Sequence, residues 1–464
     1  MNTKQADLAG PGVSTYEEVA RILPRDYGPL LTPRETMKAL FGVKNYIEEN
    51  LCRELNLMMV QVPLIVDRES GVNDMLDRDG SRTPVEFPCG LGLKQPIRAQ
   101  VVQAATKWKR MALKTFDCGL GEGICTDMKA VRKDYFLDHD HSAYVDQWDW
   151  ERVIAAEDRN LEFLTEIVRR IWKVIKGAEV FAQEMFPQLR DPRYPSLPEE
   201  LKFIHAEEIL EMYPDLPRKQ RETRLIQEYP AVFIYGIGWP LKDGYPHELR
   251  AADYDDWVTE TKSKDGRPMH GLNGDILVWN PVTKRRHELT SMGIRVTKET
   301  LLQQLEMTGQ LDFVDLPYHQ AILNDEIPLS IGGGIGQART YMYLLRTAHL
   351  GEVNVELLGA EDHQGVSSRC AHTQHSRHQR AGSPLHDDGE GDGQEDQRAE
   401  LGSAGDAGFL QDDRRQRGDG GGQGAVCTND GRAARHGARR SRSPDCLRPR
   451  AVTCTQYRVL HGTG

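Results

Sequence analysis

The order of elements in this sequence predicts an α+β fold with an antiparallel sheet flanked by helices. Three observations carry that expectation. Strand-like stretches return on themselves in hairpins, most clearly 276–279 and 286–292 across Asn280-Pro281-Val282-Thr283-Lys284. Helices are inserted between such stretches and do not alternate with them as regular βαβ units would. The third is the stretch 327–346, which reads as an extended apolar approach, a glycine turn (Gly332, Gly333, Gly334, Gly336) and a helix.

Taken in order, residues 1–31 form an N-terminal arm with one short helix over 15–23. Thr32-Pro33-Arg34-Glu35 is a capping box with proline at the first helical position. The helix it opens runs to about residue 55, with Met37, Leu40, Val43, Ile47 and Leu51 on one stripe. A strand over 57–62 ends at Pro63, and a polar Asp- and Gly-rich loop, 67–84, contains Asp74. Residues 98–116 mix extended and helical signals. In a strand over 144–151, Gln147 and Asp149 share one face while Trp148 and Trp150 take the other and enter a core. A long helix is expected over 152–185, with shorter ones at 206–212 and 217–229 and a buried strand at 231–236. Asn273-Gly274 signals a turn from which Asp275 opens the next strand. Helices at 298–307 and 318–323 lead to the glycine stretch.

The chain has 464 residues and a net charge of −11, which argues against nucleic acid as a partner for the protein as a whole. No apolar run reaches the roughly 20 residues that cross a bilayer, and residues 1–12 lack the apolar segment of a signal peptide. The eight cysteines include no CxxC pair, so reduced thiols in a cytoplasmic protein are expected. Composition changes near Val355. From 356 to 464 the chain is rich in Gly, Asp, Arg, Gln, Ser and His and cannot bury enough surface to fold alone. Cys370, His372, His375 and His378 match no standard zinc spacing, and the basic run 439–444 is a solvated or RNA-binding segment. Out-of-frame translation of a GC-rich gene gives text of the same kind. The expected organisation is therefore an arm (1–31), a catalytic domain (32–355) and a disordered tail (356–464).

Several polar groupings carry chemistry. Arg339 falls in the first turn of a helix, where backbone N–H groups and the helix dipole favour an anion and a guanidinium fork suits a phosphate. No Lys-Ser/Thr follows the glycines, so this is not a P-loop. Asp253, Asp255 and Asp256 lie within four positions, Asp275 stands at the mouth of a strand, and Glu288 and Ser291 are spaced i, i+3. A Glu and a Ser facing ATP would suit Mg²⁺. Singly, each has an ordinary reading as a capping residue, a turn acid or a solvated face.

Five strings go further: 144–151 (YVDQWDWE), 253–257 (DYDDW), 271–281 (GLNGDILVWNP), 291–296 (SMGIRV) and 331–339. Together they resemble the ammonia-dependent asparagine synthetase (aspartate–ammonia ligase) family over roughly residues 33–354. That family is similar in fold to the catalytic core of class II aminoacyl-tRNA synthetases. The resemblance implies amidation of aspartate by ammonia through a β-aspartyl-adenylate, with ATP as co-substrate, Mg²⁺ as cofactor, AMP and pyrophosphate as products, and a homodimer. It matches Glu288 and Ser291 to a magnesium-holding pair, to which Asp275 is added. Arg132 and Arg339 are the candidates for the phosphates, beside Gly334 and Gly336 on the ATP side. Lys109 and Arg250 are the candidates for a substrate carboxylate. Asp74, Gln147, Asp149 and Asp255 are those for the ammonium group or the incoming ammonia. Arg132, Asp149 and Arg339 are the expected catalytic residues.

The chain departs from the family at Gln103-Ala104, where a His-Ser pair often stands before Lys107-Trp108-Lys109-Arg110, at Thr290, which replaces a serine, and after Val355. The main alternative is a class II aminoacyl-tRNA synthetase or paralogue, which would need an anticodon-binding module and a basic face. A glutamine-dependent amidotransferase is disfavoured because the chain begins Met1-Asn2, with no nucleophilic cysteine in place.

Overall fold

The computed structural model describes residue 24 and residues 27–76, 82–92, 94–134, 138–263 and 265–354. The helix expected over 15–23, part of the 67–84 loop and the segment from 355 onward lie outside the described residues. The chain runs through α1 (Pro33–Leu55), β1 (Leu57–Met59), β2 (Ile65–Asp67), β3 (Glu86–Cys89), β4 (Ile97–Val101), α2 (Thr106–Thr115), β5 (Gly123–Val131) and β6 (Tyr144–Val153). Then come α3 (Leu161–Met185), β7 (Lys202–His205), α4 (Ala206–Met212), α5 (Arg218–Glu228), β8 (Ala231–Tyr235), β9 (Glu260–Lys262) and β10 (Pro268–His270). The last elements are β11 (Asn273–Asn280), β12 (Arg285–Ile294), α6 (Lys298–Thr308), α7 (Pro317–Leu323), β13 (Ser330–Gly336) and α8 (Gln337–Leu344).

Eight strands form the main sheet in the order β1-β5-β6-β13-β12-β11-β8-β7. All pairings are antiparallel except the two outermost, β1 with β5 and β7 with β8. The α+β expectation with a mainly antiparallel sheet therefore holds. A three-stranded sheet (β2-β4-β3) and the β9-β10 hairpin stand apart.

One face of the main sheet is packed by α1, α3 and α8. Trp148 and Trp150 of β6, Ile276 of β11, Met292 of β12 and Ile335 of β13 join Val43, Ile47, Leu51, Ile171 and Met342 in one cluster. Each buried indole removes roughly 200 Å² from water, worth about 5 kcal/mol. The capping box at Thr32 forms as expected, with Glu35 returning to the Thr32 N–H at 2.8 Å. Met37, placed on the buried stripe, is 48% exposed; the stripe runs through Thr36, Ala39 and Val43, and Met37 sits 100° off it. On the opposite face α2 packs Ala112 and Leu113 against Ile124 and Val153, and α4 and α5 cover the β7–β8 end. The middle of that face is left for polar side chains.

Three expectations are corrected. The glycine stretch is not a turn: Gly332, Gly333, Gly334 and Gly336 are residues of β13, between β6 and β12, and none has a positive φ. Asn273-Gly274 is likewise inside a strand. Asn273 uses its side chain to accept from the Ile237 N–H and donate to the Ile237 carbonyl, at 3.0 and 2.8 Å. The long helix starts at Leu161, not 152, because β6 continues to Val153 and Asn160 caps the helix by accepting from Phe163 N–H at 2.8 Å.

Candidate active site

The β-strand register assembles the site. Asp149 of β6 pairs with Gly334 of β13, Gly334 with Ser291 of β12, and Ser291 with Asp275 of β11. Directly paired residues share a face, so Asp149, Ser291 and Asp275 project together from the face opposite the tryptophans. Between Asp149 and Ser291 there is no side chain at all. Glycine is required there: a Cβ on Gly334 would stand 2.7 Å from Gln147 Oε1 and 3.2 Å from Asp149 Oδ1. Gln147 is in turn the partner of Gly336.

The next row is Glu151, Gly332, Gly293 and Asn273. A Cβ on Gly332 would overlap the Glu151 carboxylate and the Arg295 guanidinium, and one on Gly293 would lie 2.7 Å from Asp255 Oδ1. The space so cleared holds a buried network. Arg295 donates to Glu151 through Nε (3.0 Å to Oε1) and Nη2 (2.8 Å to Oε2), and through Nη1 to Asp255. The Ser330 hydroxyl donates to Glu151 at 2.7 Å. Glu151 and Arg295 carry no role in the sequence reading, yet Glu151 continues the 147, 149 alternation and Arg295 lies in one of the quoted strings.

Glu288 and Ser291 are three apart, and in a regular strand they would face opposite ways. A β-bulge reconciles them. Thr290 pairs with Ile276 and Glu288 with Leu277, so Leu289 has no partner and the alternation is reset. Glu288 then lines one recess with Asp275. Its Oε1 is 3.5 Å from Arg339 Nη1, while Arg339 Nε donates to the Asp140 carbonyl at 3.1 Å.

Of the sequence-predicted cations, Lys109, Arg250 and Arg339 stand beside acids. Lys109, buried on α2, donates to Asp149 Oδ1, to Trp150 O at 3.0 Å and to Gly333 O at 3.2 Å. An ammonium has three donors, and without substrate all three of Lys109 are taken, one of them by Asp149. Arg250 is paired with Asp275. The three clustered acids separate: Asp253 takes Lys107 (2.7 Å) and His319 (3.2 Å), Asp255 takes Arg295, and Asp256 takes Arg159. Asp74 caps α2, accepting from Thr106 N–H at 2.7 Å and Lys107 N–H at 3.3 Å. Gln103 donates from Nε2 to the Asp74 carbonyl (3.3 Å), and its own carbonyl accepts from Arg132 Nε (3.0 Å), which ties Arg132 to this corner. Asp149, Gln147, Lys109, Ser291, Asp275, Arg250, Glu288 and Arg339 thus stand on one contiguous face, with Asp255 in the adjoining row and Asp74 and Arg132 at its α2 edge.

Burial pushes the Asp275 carboxyl up to about 7 despite Arg250, and the Asp74 carboxyl up to about 6. Asp149 Oδ2 is buried and has no hydrogen-bond partner among the described residues. The face therefore carries a buried, unpartnered acid oxygen, a cationic arm and an all-oxygen set of Glu288, Ser291 and Asp275. That is the mixture a zwitterionic substrate and a magnesium nucleotide require.

The fold has a known class. The chain superposes on asparaginyl-tRNA synthetase from Pyrococcus horikoshii, solved with asparaginyl-adenylate, with a TM-score of 0.51 over 70% of each chain. Sequence identity is 15%, so this likeness shows a class II aminoacyl-tRNA synthetase core as a fold and no more. The family is narrower: the model of the aspartate-ammonia ligase family matches residues 34–369. The chain is 47% identical over 337 residues to an aspartate–ammonia ligase of Bacteroides fragilis, covering 72% of this chain and 94% of that protein. A Bacteroides thetaiotaomicron ligase is 45% identical with the same coverage, and a Clostridium perfringens one is 43% identical over 335 residues, also 72% and 94%. The chain belongs to the aspartate–ammonia ligase family.

Proposed function

We propose that this enzyme makes asparagine from aspartate, ammonia and ATP through a β-aspartyl-adenylate. The observation that carries the reading is family membership over nearly the full length of the relatives. The site geometry supports it. A β-carboxylate oxygen of aspartate attacks the α-phosphorus, and the bond to pyrophosphate breaks. Ammonia then attacks the acyl carbon, the carbon–oxygen bond to AMP breaks, and one proton leaves the nitrogen.

In this reading Arg339 and Arg132 hold phosphate oxygens, where negative charge develops. Glu288, Ser291 and Asp275 fit a magnesium ion because all offer oxygen from one face, and the ion supplies charge neutralisation when bound. Arg250, oriented by Asp275, takes a substrate carboxylate. Asp149 Oδ2 and Gln147 receive the ammonium group or the incoming ammonia, with Lys109 holding Asp149 in place. Asp255 is fixed by Arg295 at the edge of the same pocket, and Asp74 sets the start of α2. Gly336 leaves room for the nucleotide, and Gly334 makes room beside it for the Gln147 and Asp149 side chains.

The catalytic domain is assigned to 32–355, with 1–31 as an arm and 356–464 as a tail outside the chemistry. A homodimer belongs to the same reading, and the exposed apolar side chains of Phe41 on α1 and of Met58 and Met59 on the edge strand β1 support it. No described helix is long and apolar enough to cross a membrane, and the free thiols of Cys52, Cys89, Cys118 and Cys125 support a cytoplasmic location. The test is product analysis with aspartate and ATP, with and without ammonium. Ammonium-dependent asparagine with AMP and pyrophosphate is expected; ADP and phosphate would contradict the adenylate.

A further inference from the structure

The turn that leads into β6 carries side chains to which the proposed reaction gives no role. Asp138, His139 and Asp140 each offer one ligand atom, and these atoms lie within 4.8 Å of one another. His139 is 5% exposed, and its Nδ1 is buried without a hydrogen-bond partner. That nitrogen stands 3.9 Å from Asp138 Oδ1 and 3.7 Å from Asp140 Oδ1. Both separations are too long for hydrogen bonds. They are close to the spacing of two atoms on one ion, which at about 2.1 Å from the metal stand roughly 3.0–3.4 Å apart. A buried imidazole nitrogen facing two carboxylates without touching either is the arrangement a cation would complete.

The surroundings hold the three ligands in place. His141 Nδ1 lies 2.8 Å from both Asp138 Oδ1 and Asp140 Oδ1, on the carboxylates that would bind the ion. The His139 carbonyl accepts from Leu350 N–H at 2.9 Å, and Asp140 N–H donates to Asp138 Oδ1 at 3.0 Å. Arg339 Nε is anchored on the Asp140 carbonyl, and His287 Nδ1 is 3.9 Å from Asp140 Oδ2. Two carboxylates offset the charge of a divalent ion beside that arginine.

We propose that Asp138, His139 and Asp140 are the protein ligands of a divalent first-row transition-metal ion bound on the turn before β6. One imidazole and two carboxylates suit Mn²⁺, Fe²⁺ or Zn²⁺ better than Mg²⁺, which prefers oxygen alone. Its ligand set differs from the all-oxygen set of Glu288, Ser291 and Asp275, while the same turn holds Arg339 through the Asp140 carbonyl.

The full chain with Mn²⁺ as probe, in excess Mg²⁺ to keep oxygen-only sites filled, tests this by electron paramagnetic resonance. The wild type should bind Mn²⁺ with an imidazole-nitrogen coupling. That coupling should vanish in His139→Ala, binding should weaken at least tenfold in the isosteric Asp138→Asn, and Glu288→Gln should keep both. Absence of nitrogen-coupled Mn²⁺ in the wild type overturns the proposal without any variant. Survival of the coupling in folded His139→Ala places the ion elsewhere, for instance on His372 or His375, and overturns it too. If His139→Ala does not fold, unchanged binding by Asp138→Asn overturns it instead, leaving the cluster as acids clamped by His141.

Discussion

The two sides of the site are built on different terms. Around β6 and β13, Lys109 with Asp149 and Arg295 with Glu151 are closed ion pairs whose side chains are between 0% and 4% exposed. Around β12 and α8, Arg339 and Glu288 are 24% and 32% exposed and stand 3.5 Å apart. Breaking a buried pair strands a charge, whereas a half-exposed pair can exchange partners at little cost. The closed side is thus preassembled and holds its geometry without ligand. The open side can release its arginine and carboxylate to a ligand, which in the proposed reaction is a phosphate and a magnesium ion.

The glycines of β13 give the sharpest way to break this comparison. Gly332→Ala places a methyl into the Glu151–Arg295 pair and should cost about 3–5 kcal/mol, read as a large loss in urea-unfolding stability. Near-normal stability would mean that the pair moves aside and is not rigid. On the open side, Arg339→Ala should lower the rate of AMP formation by roughly 100-fold, about 3 kcal/mol of transition-state stabilisation, with the unfolding curve unchanged. If stability falls while the rate holds, Arg339 is a structural residue and the contrast between the sides fails.

Asp74 provides a titration on the closed side. Its carboxyl is raised from 3.8 to about 6, chiefly by burial. The folded protein therefore keeps a proton that the unfolded chain gives up, and the associated stability is present below pH 4 and lost as pH rises through about 6. Relative to Asp74→Asn, the ligand-free wild type should lose about 3 kcal/mol between pH 4 and 7. Parallel stability curves for the two proteins would show that Asp74 is not desolvated. The smallest effect is expected at Gly336, where an added Cβ meets nothing closer than 3.7 Å. Gly336→Ala should leave unfolding within about 0.5 kcal/mol but slow the reaction roughly tenfold, about 1.4 kcal/mol, if ATP occupies that space. Unchanged kinetics would move the nucleotide away from Gly336.

Much of the site was legible because its signals are local. The alternation of Gln147 and Asp149 against Trp148 and Trp150 needs only a period of two, and the capping box at Thr32 needs four residues. What was not legible depends on partners far along the chain. Glycines read most readily as turns, yet Gly332 is small because Glu151 and Arg295 need its space. The ligand-free partners of Lys109 include the Gly333 carbonyl, 224 residues away. The shared face of Glu288 and Ser291 requires a bulge that neither residue announces. Glu151 could have been found by extending the 147, 149 pattern one step further.

The central claim is that aspartate is activated as an acyl-adenylate on this face. Aspartate labelled with ¹⁸O in its β-carboxylate tests it most directly, with the products read by mass spectrometry. In the reaction with ATP and ammonium, one labelled oxygen should leave with AMP and the other remain in asparagine. Label in inorganic phosphate, with ADP as the nucleotide product, would contradict the adenylate and with it the assignment of Arg339 to the α-phosphate.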